Sequence, residues 1–386
     1  MVVRALTSQA STRRVEHTSG KVDIGFARDP DISATGRFVA WMGHHPGATA
    51  GTFDIYLTDR ISGQTELLSR APDGSPANGG SEAPSISADG RYVAFASHAS
   101  NLVPDDTNGA RDIFVYDREQ KSLQRASLDS QGQQLEGYCS QPVLSGDGQH
   151  VAFTSAGLGL VLRDLESGQL EQLAGTQASS PDLSNDAGVV VWSEDEQVVR
   201  LDRTSQTRQV EPGWAPQLSA DGQTLAYLGR QGLQVASVNH TRAVSLDWQG
   251  RPLDRVGGFT LSGDGSTVAY QAEEGRMVLE RRLDSDEVRL VTADRRGGFD
   301  YGESTHPVLS HDGSTITLAT SCRNLGPTTV RVDQGYEPYR IFTIDTSNLH
   351  LAMEQAIAEG ETAAPLPSLV IHDDEVEIGG FSLPRG

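Results

Sequence analysis

One phrase recurs along the chain: an apolar lead-in, then Ser-x-Asp-Gly, then an alternating apolar run. It reads Ile32-Ser33-Ala34-Thr35-Gly36-Arg37-Phe38-Val39-Ala40-Trp41 at its first occurrence and Ile86-Ser87-Ala88-Asp89-Gly90-Arg91-Tyr92-Val93-Ala94-Phe95 at its second. It returns from Leu144, Leu183, Leu218, Leu261 and Leu309, which makes seven copies spaced 35 to 58 residues apart. A period of this size belongs to repeat architectures, in which each unit buries its apolar face against its neighbours.

Each copy opens as strand, turn, strand. Glycine accepts positive φ and Asp bonds its own downstream backbone, so Asp-Gly supplies the tight turn. Val93 to Phe95, Val151-Ala152-Phe153 and Leu225-Ala226-Tyr227 alternate as strands do. A third strand follows, clearest at Asp112-Ile113-Phe114-Val115-Tyr116-Asp117, with counterparts at 54–57, 160–163, 198–201 and 339–342. A polar turn such as Ser62-Gly63 or Ser167-Gly168 leads to a fourth strand such as 65–68. Four antiparallel strands per unit, seven units and no amphipathic helix before the tail predict an all-β fold, a seven-bladed β-propeller. All the Asp-Gly pairs are read as turn chemistry. Thr35 replaces Asp in the first copy. Ala187 replaces Gly in the fourth, and because Gly188 follows, that hairpin is expected to be one residue longer.

The last unit lacks an obvious fourth strand. Residues 11–16 stand to Ser33 as 65–70 stand to Ser87, so the N-terminal strand is expected to close the last blade and remove an open sheet edge. The competing segment is 349–353, after the polar turn Ser347-Asn348. The propeller is expected over 1–348 and an appendage over 349–386. The appendage reads as a short helix over 352–364, a break at Ala364-Pro365-Leu366-Pro367, and a hairpin of 368–372 with 375–378. It either packs on the ring or offers a strand to a partner.

Composition narrows the function classes. A formal net charge of −21 with no basic stripe repels nucleic acid. No run approaches the roughly 20 apolar residues of a membrane span. The opening Met1-Val2-Val3-Arg4-Ala5-Leu6 lacks the apolar core of a secretory signal. Two compartments follow: periplasm or cell exterior if a signal was removed, cytoplasm if Met1 is the native start. Cys139 and Cys322 fall about two blades apart and are read as free thiols.

The run Pro84-Ser85-Ile86-Ser87-Ala88-Asp89-Gly90-Arg91-Tyr92-Val93-Ala94-Phe95, followed by Asn101-Leu102-Val103-Pro104-Asp105-Asp106-Thr107-Asn108-Gly109 and Asp112 to Asp117, resembles the TolB-like β-propeller repeat. The resemblance covers residues 8 to 347 and is looser in the fourth to sixth copies. It implies a bacterial, extracytoplasmic binding module. The same ring also serves as a protein-binding module, as a gating domain of peptidases and as a scaffold of polysaccharide lyases, so the resemblance does not choose an activity.

Propeller geometry places the strand one–two hairpins and the three–four turns on one face, and the two–three loops and blade connections on the other. The long insertions, 43–53, 98–111, 129–141, 294–306 and 321–338, all belong to the second face, mostly in the first, second and last blades. Ring closure makes those blades neighbours, and long loops on a rigid scaffold are where binding concentrates. Candidate binding residues are His44, His45, Tyr138, Trp248, Arg295, Tyr301, His306, Arg323, Arg331 and Tyr336, a mixture suited to a protein surface or an acidic sugar. Trp214 and Trp248 are assigned to blade connections, Trp41 and Trp192 to the core. Asp105, Asp106, Asn108 and Asp112 have the oxygen-rich spacing of part of a calcium loop, but Pro104 stands where a first ligand would be and no bidentate Glu closes the loop; the segment reads as an Asx-turn, with calcium the alternative. No Gly-x-Ser-x-Gly, His-Glu-x-x-His or phosphate-binding Gly-rich loop with Lys occurs, and no cofactor is required. The sequence reads as a non-catalytic macromolecule-binding or scaffold module with a protein partner; the alternative is a polysaccharide lyase with its site at the mouth of the central channel.

Overall fold

A computed structural model describes residues 3–5, 12–14, 27–44, 52–237, 240–247, 251–272, 277–285, 287–292, 302–321, 339–346, 369–372, 375–378 and 381–384. Seven sheets succeed one another as blades, and in each the strands pair antiparallel in chain order from the inner strand outward, save for strands added from the N-terminus in the last two. The inner strands are Ala27–Ile32, Ser81–Ile86, Cys139–Leu144, Ser179–Leu183, Trp214–Leu218, Phe259–Leu261 and Ser304–Leu309. Each packs against the next, and the last against the first, around a central channel. No helix occurs among the described residues.

Closure follows the expected route. Thr12–Arg14 pairs antiparallel with Arg340–Asp345 and supplies the outer strand of blade 7, with Thr12 opposite Ile344 and Arg14 opposite Phe342. One pairing lies outside the expected pattern: Val3–Ala5 adds in parallel to Val288–Leu290, giving blade 6 a fifth strand. Leu369–His372, Glu375–Ile378 and Phe381–Pro384 form a separate three-stranded sheet. The competing segment 349–353 and the expected helix lie outside the described residues.

The repeated phrase folds into a polar hub. Each of its seven serines is buried, and each accepts a hydrogen bond from the amide five residues on, at 2.9–3.0 Å. In six copies the same hydroxyl donates to the Asp carboxylate at 2.5–2.9 Å, and the carboxylate accepts the N–H two residues beyond it. The buried hydroxyl is thereby satisfied as donor and acceptor, as burial demands. The expected longer hairpin in blade 4 does not occur. Ala187 itself takes the left-handed position at φ 53° and donates to the Ser184 carbonyl at 3.0 Å, as Gly90 does to Ser87 at 2.9 Å. The Ser–Asp hub holds the turn in register even where an alanine must bear the positive φ.

Apolar side chains of the middle strands fill the spaces between blades, with Trp41, Trp192, Phe95, Phe114 and Phe153 among the largest fully buried groups. Trp41 stacks on Tyr56 at 4.7 Å and donates its indole N–H to Thr58. The turn glycines serve this packing as well. Gly90 sits at φ 74°, and a Cβ there would run into the Phe38 ring of the preceding blade. Gly90→Ala therefore combines left-handed strain with a steric clash and is expected to cost about 2 kcal/mol or more in denaturant unfolding. A loss below about 0.5 kcal/mol would show that the junction yields.

Candidate functional site: the channel and the connection face

The inner strands share a second motif that lines the channel. In six blades a non-glycine residue at positive φ precedes proline: Asp29, Ala83, Gln141, Ser180, Ala215 and His306, with φ between 48° and 53°. Each marks a register shift against the second strand. Positive φ is costly for these residues, and the bulge repeats because the surrounding sheet holds it. Blade 6 has Gly257-Gly258-Phe259 instead.

Past the bulge, the inner edge of each strand has no neighbouring strand, so its amides need other acceptors. The seven lead-in amides are satisfied by five side chains on the channel wall. Asp31 accepts from Ile32 at 2.9 Å and from Ile86 at 2.8 Å. Asp182 accepts from Leu183 at 2.9 Å and from Leu218 at 2.7 Å. Ser85 accepts from Leu144 at 3.0 Å, Gln217 from Leu261 at 2.9 Å and Thr260 from Leu309 at 3.4 Å.

Nearer the hairpin face, a circle of seven backbone hydrogen bonds joins the tips of all the blades. Ala34 donates to Ala88, Ala88 to Gly146, Asp147 to Asn185, Asn185 to Ala220, Ala220 to Gly263, Asp264 to His311 and His311 back to Ala34, at 2.7–3.0 Å. Small residues hold most of these positions. A Cβ on Gly146 would strike the Asn185 side chain, and one on Gly263 would strike His311.

The channel between these rings has a volume of about 580 Å³, and among the described residues its ionisable lining groups are Asp31, Asp182 and His311. Burial pushes Asp31 up to about 6 and Asp182 up to about 7, the latter with a contribution from the Asp31 charge.

On the connection face, His44 bonds the Thr52 carbonyl at 2.9 Å and stacks on Phe53 at 4.3 Å. Arg28 lies over the same ring at 4.5 Å. Tyr138 is 58% exposed and meets His98 edge-on at 5.8 Å. Arg111 pairs with Glu82 and donates to the Cys139 carbonyl. Two assignments need correction. His306 is not in the sixth-to-seventh connection but in the inner strand of blade 7, where its Nε2 lies 3.2 Å from Asp29 Oδ1. Trp214 is the first residue of an inner strand and is 46% exposed. His45, Trp248, Arg295, Tyr301, Arg323, Arg331 and Tyr336 lie outside the described residues, as does Cys322. Cys139 is a buried free thiol, pushed up to about 12 by burial.

The oxygen-rich segment faces a cation of the protein's own. Arg125 lies between Asp106 at 3.1 Å and Asp112 at 3.8 Å, with both of its partners' side chains buried. Asn108 donates to Asp112 at 3.1 Å and to the Leu135 carbonyl, whereas Asp105 is exposed at φ 57°. Asp112 also accepts from Ser127, as Asp54 accepts from Ser69 at 2.7 Å in blade 1, so this carboxylate belongs to the blade pattern. Among the described residues no three His, Cys, Asp or Glu side chains converge as metal ligands would.

No family model and no curated protein matches the chain. Solved structures do match. One, titled "Structure of U3-55K", superposes with a TM-score of 0.55 at 13% identity, over 87% of this chain and 98% of that one. At this identity the likeness shows the propeller fold alone, a fold shared by 1366 matching chains and by many unrelated activities.

The channel carboxylates give a signed pH dependence. A carboxyl whose folded value is raised contributes stability below its unfolded value near 4 and loses it as the pH rises through the folded value. Asp186 and Asp221 are held below the ordinary range by hydrogen bonds from the Gly188 amide and the Ser219 hydroxyl respectively, so their contribution is lost on acidification below about pH 4, outside this window. Thermal melts of the wild type should therefore fall between pH 5 and 8, and Asp182→Asn, which cannot titrate, should fall less. Parallel curves for the two proteins would exclude Asp182 as a titrating group.

Proposed function

We propose that this chain is a TolB-like propeller that binds another protein through its connection face, as a non-catalytic module of the bacterial envelope or exterior. The observation that carries the reading is the placement of exposed aromatics. Among the described residues, Ile61, Tyr138, Val210 and Trp214 are the exposed large hydrophobic ones, and both aromatics stand at the connection-face ends of inner strands. Tyr138, braced by His98, offers a rigid, amphipathic contact of the type enriched at protein interfaces. The hairpin face, by contrast, closes around its channel mouth on its own backbone bonds and mostly small residues. The net charge of −21 favours a neutral or basic partner surface.

The lyase reading gains no support from the channel. A uronate polymer entering it would meet Asp31 and Asp182, with no Arg or Lys among the described lining residues to neutralise its carboxylates. No helix of the described residues is long and apolar enough to cross a membrane.

Crosslinking followed by affinity capture tests the proposal. A Tyr138→Ala/Trp214→Ala double variant should lose a specific partner by about tenfold or more. Ile61→Asp, on the turn of the opposite face, should leave capture intact. Equal recovery of the partner by the double variant and the wild type would place the interface elsewhere.

A further inference from the structure

The channel wall is divided into two arcs. Following the blades around, a side chain on one inner strand accepts the lead-in amide of the next: Asp31 from Ile86 and Ser85 from Leu144. The sequence of bonds stops at Val143, which has no acceptor. It resumes with Asp182, Gln217 and Thr260, accepting from Leu218, Leu261 and Leu309, and stops again at Val308. The two breaks fall at the junctions of blades 3 and 4 and of blades 7 and 1. At each break the crossing moves two residues back, to the bulge. Between blades 3 and 4, Gln141 Oε1 accepts from the Ser180 amide at 3.1 Å. Between blades 7 and 1, His306 meets Asp29.

These two substitutes differ in chemistry. The Gln141 bond is neutral at every pH. The His306–Asp29 contact is a charged pair only when the imidazole carries its proton, and imidazoles ordinarily titrate between pH 5 and 8. The pair is open to solvent, with side chains 56% and 32% exposed, and both residues are held at positive φ by their bulges.

We propose that His306 and Asp29 form a proton-operated latch on the junction that closes the ring. With His306 protonated, the connection-face end of blade 7 is held to blade 1; without the proton, that end loosens. Among the described residues, other ionisable groups stand around the junction. Arg28 covers Phe53, Glu303 accepts from Tyr339, and Arg340 is buried. Asp31 and Asp182 lie deeper in the channel, and His311 is at its far mouth. The bonds from His311 to Ala34 and from Ala27 to Tyr339 do not depend on the proton, so blade 7 stays attached while the channel-wall crossing loosens.

Amide hydrogen exchange on the full chain at pH 5.5 and pH 8, corrected for intrinsic exchange rates, tests the latch. In the wild type, protection of residues 27–29 and of Ser304–Leu309 should fall roughly two- to fivefold at the higher pH, the scale of an exposed ion pair. His306→Gln keeps a hydrogen-bonding group without the charge, and Asp29→Asn removes the partner's charge; both should abolish the difference at this junction. Asp31 and Asp182 titrate over the same range, but they bridge blade 1 to 2 and blade 4 to 5. Their effect belongs to the amides they accept from, Ile32 and Ile86 for Asp31 and Leu183 and Leu218 for Asp182, and it should persist in both variants. A wild-type pH response at the blade 7–1 junction in either variant would overturn the proposal.

Discussion

Seven strands standing with one bare edge toward a common axis set the terms for this ring. An inner strand is bonded on one side only, and near the axis no further strand takes up its remaining amides. The chain meets this need with a backbone circle at the hairpin mouth and a side-chain belt above it. Because the belt bonds cross from blade to blade, satisfying the amides also fixes the spacing of the blades. Apolar packing supplies the attraction between sheets, and these polar crossings choose the geometry in which the sheets meet.

Having its axis closed this way leaves the two faces with different work. The hairpin side is made of short turns that bond to one another. The connection side carries the longer segments, the exposed Tyr138 and Trp214, and the bulged strand starts. Longer segments on that side are carried by the packed blades beneath them. The channel itself is acidic and narrow, and its carboxylates are engaged with backbone amides.

The architecture was legible because the Ser-x-Asp-Gly phrase carries its own mechanism. Its serine, carboxylate and glycine each have one task in the hairpin, and the task survives where Thr35 or Ala187 stands in. Closure by residues 12–14 was equally readable, because that segment bears the same relation to Ser33 as other outer strands bear to the next blade. The channel belt was less visible. Its signal is the proline two residues before the lead-in, present as Pro30, Pro84, Pro142, Pro181, Pro216 and Pro307, together with the variable residue after it. Asp, Ser, Val and Gln after the proline, and Thr260 after Phe259 in blade 6, look unrelated until the strands are seen to share an axis. His306 was assigned to a loop because a residue before proline reads as a strand boundary; the bulge lets the strand continue through it. Arg125 was overlooked for a similar reason: it is distant in sequence from the acidic segment whose charge it balances.

The pairing of Gly146 with Asn185, and of Gly263 with His311, bears on how such a ring can change over time. In each pair the glycine belongs to one blade and the bulky side chain to the next, so the two are a single fitted joint divided between neighbours. Exchanging blade 3, 4, 6 or 7 for another would split one such joint, setting a side chain against a position with no room for it. Heritable units that can be copied without this conflict run from the middle of one blade to the middle of the next. In that sense the natural segment of inheritance in this chain is the seam, and the blade is what two seams leave between them.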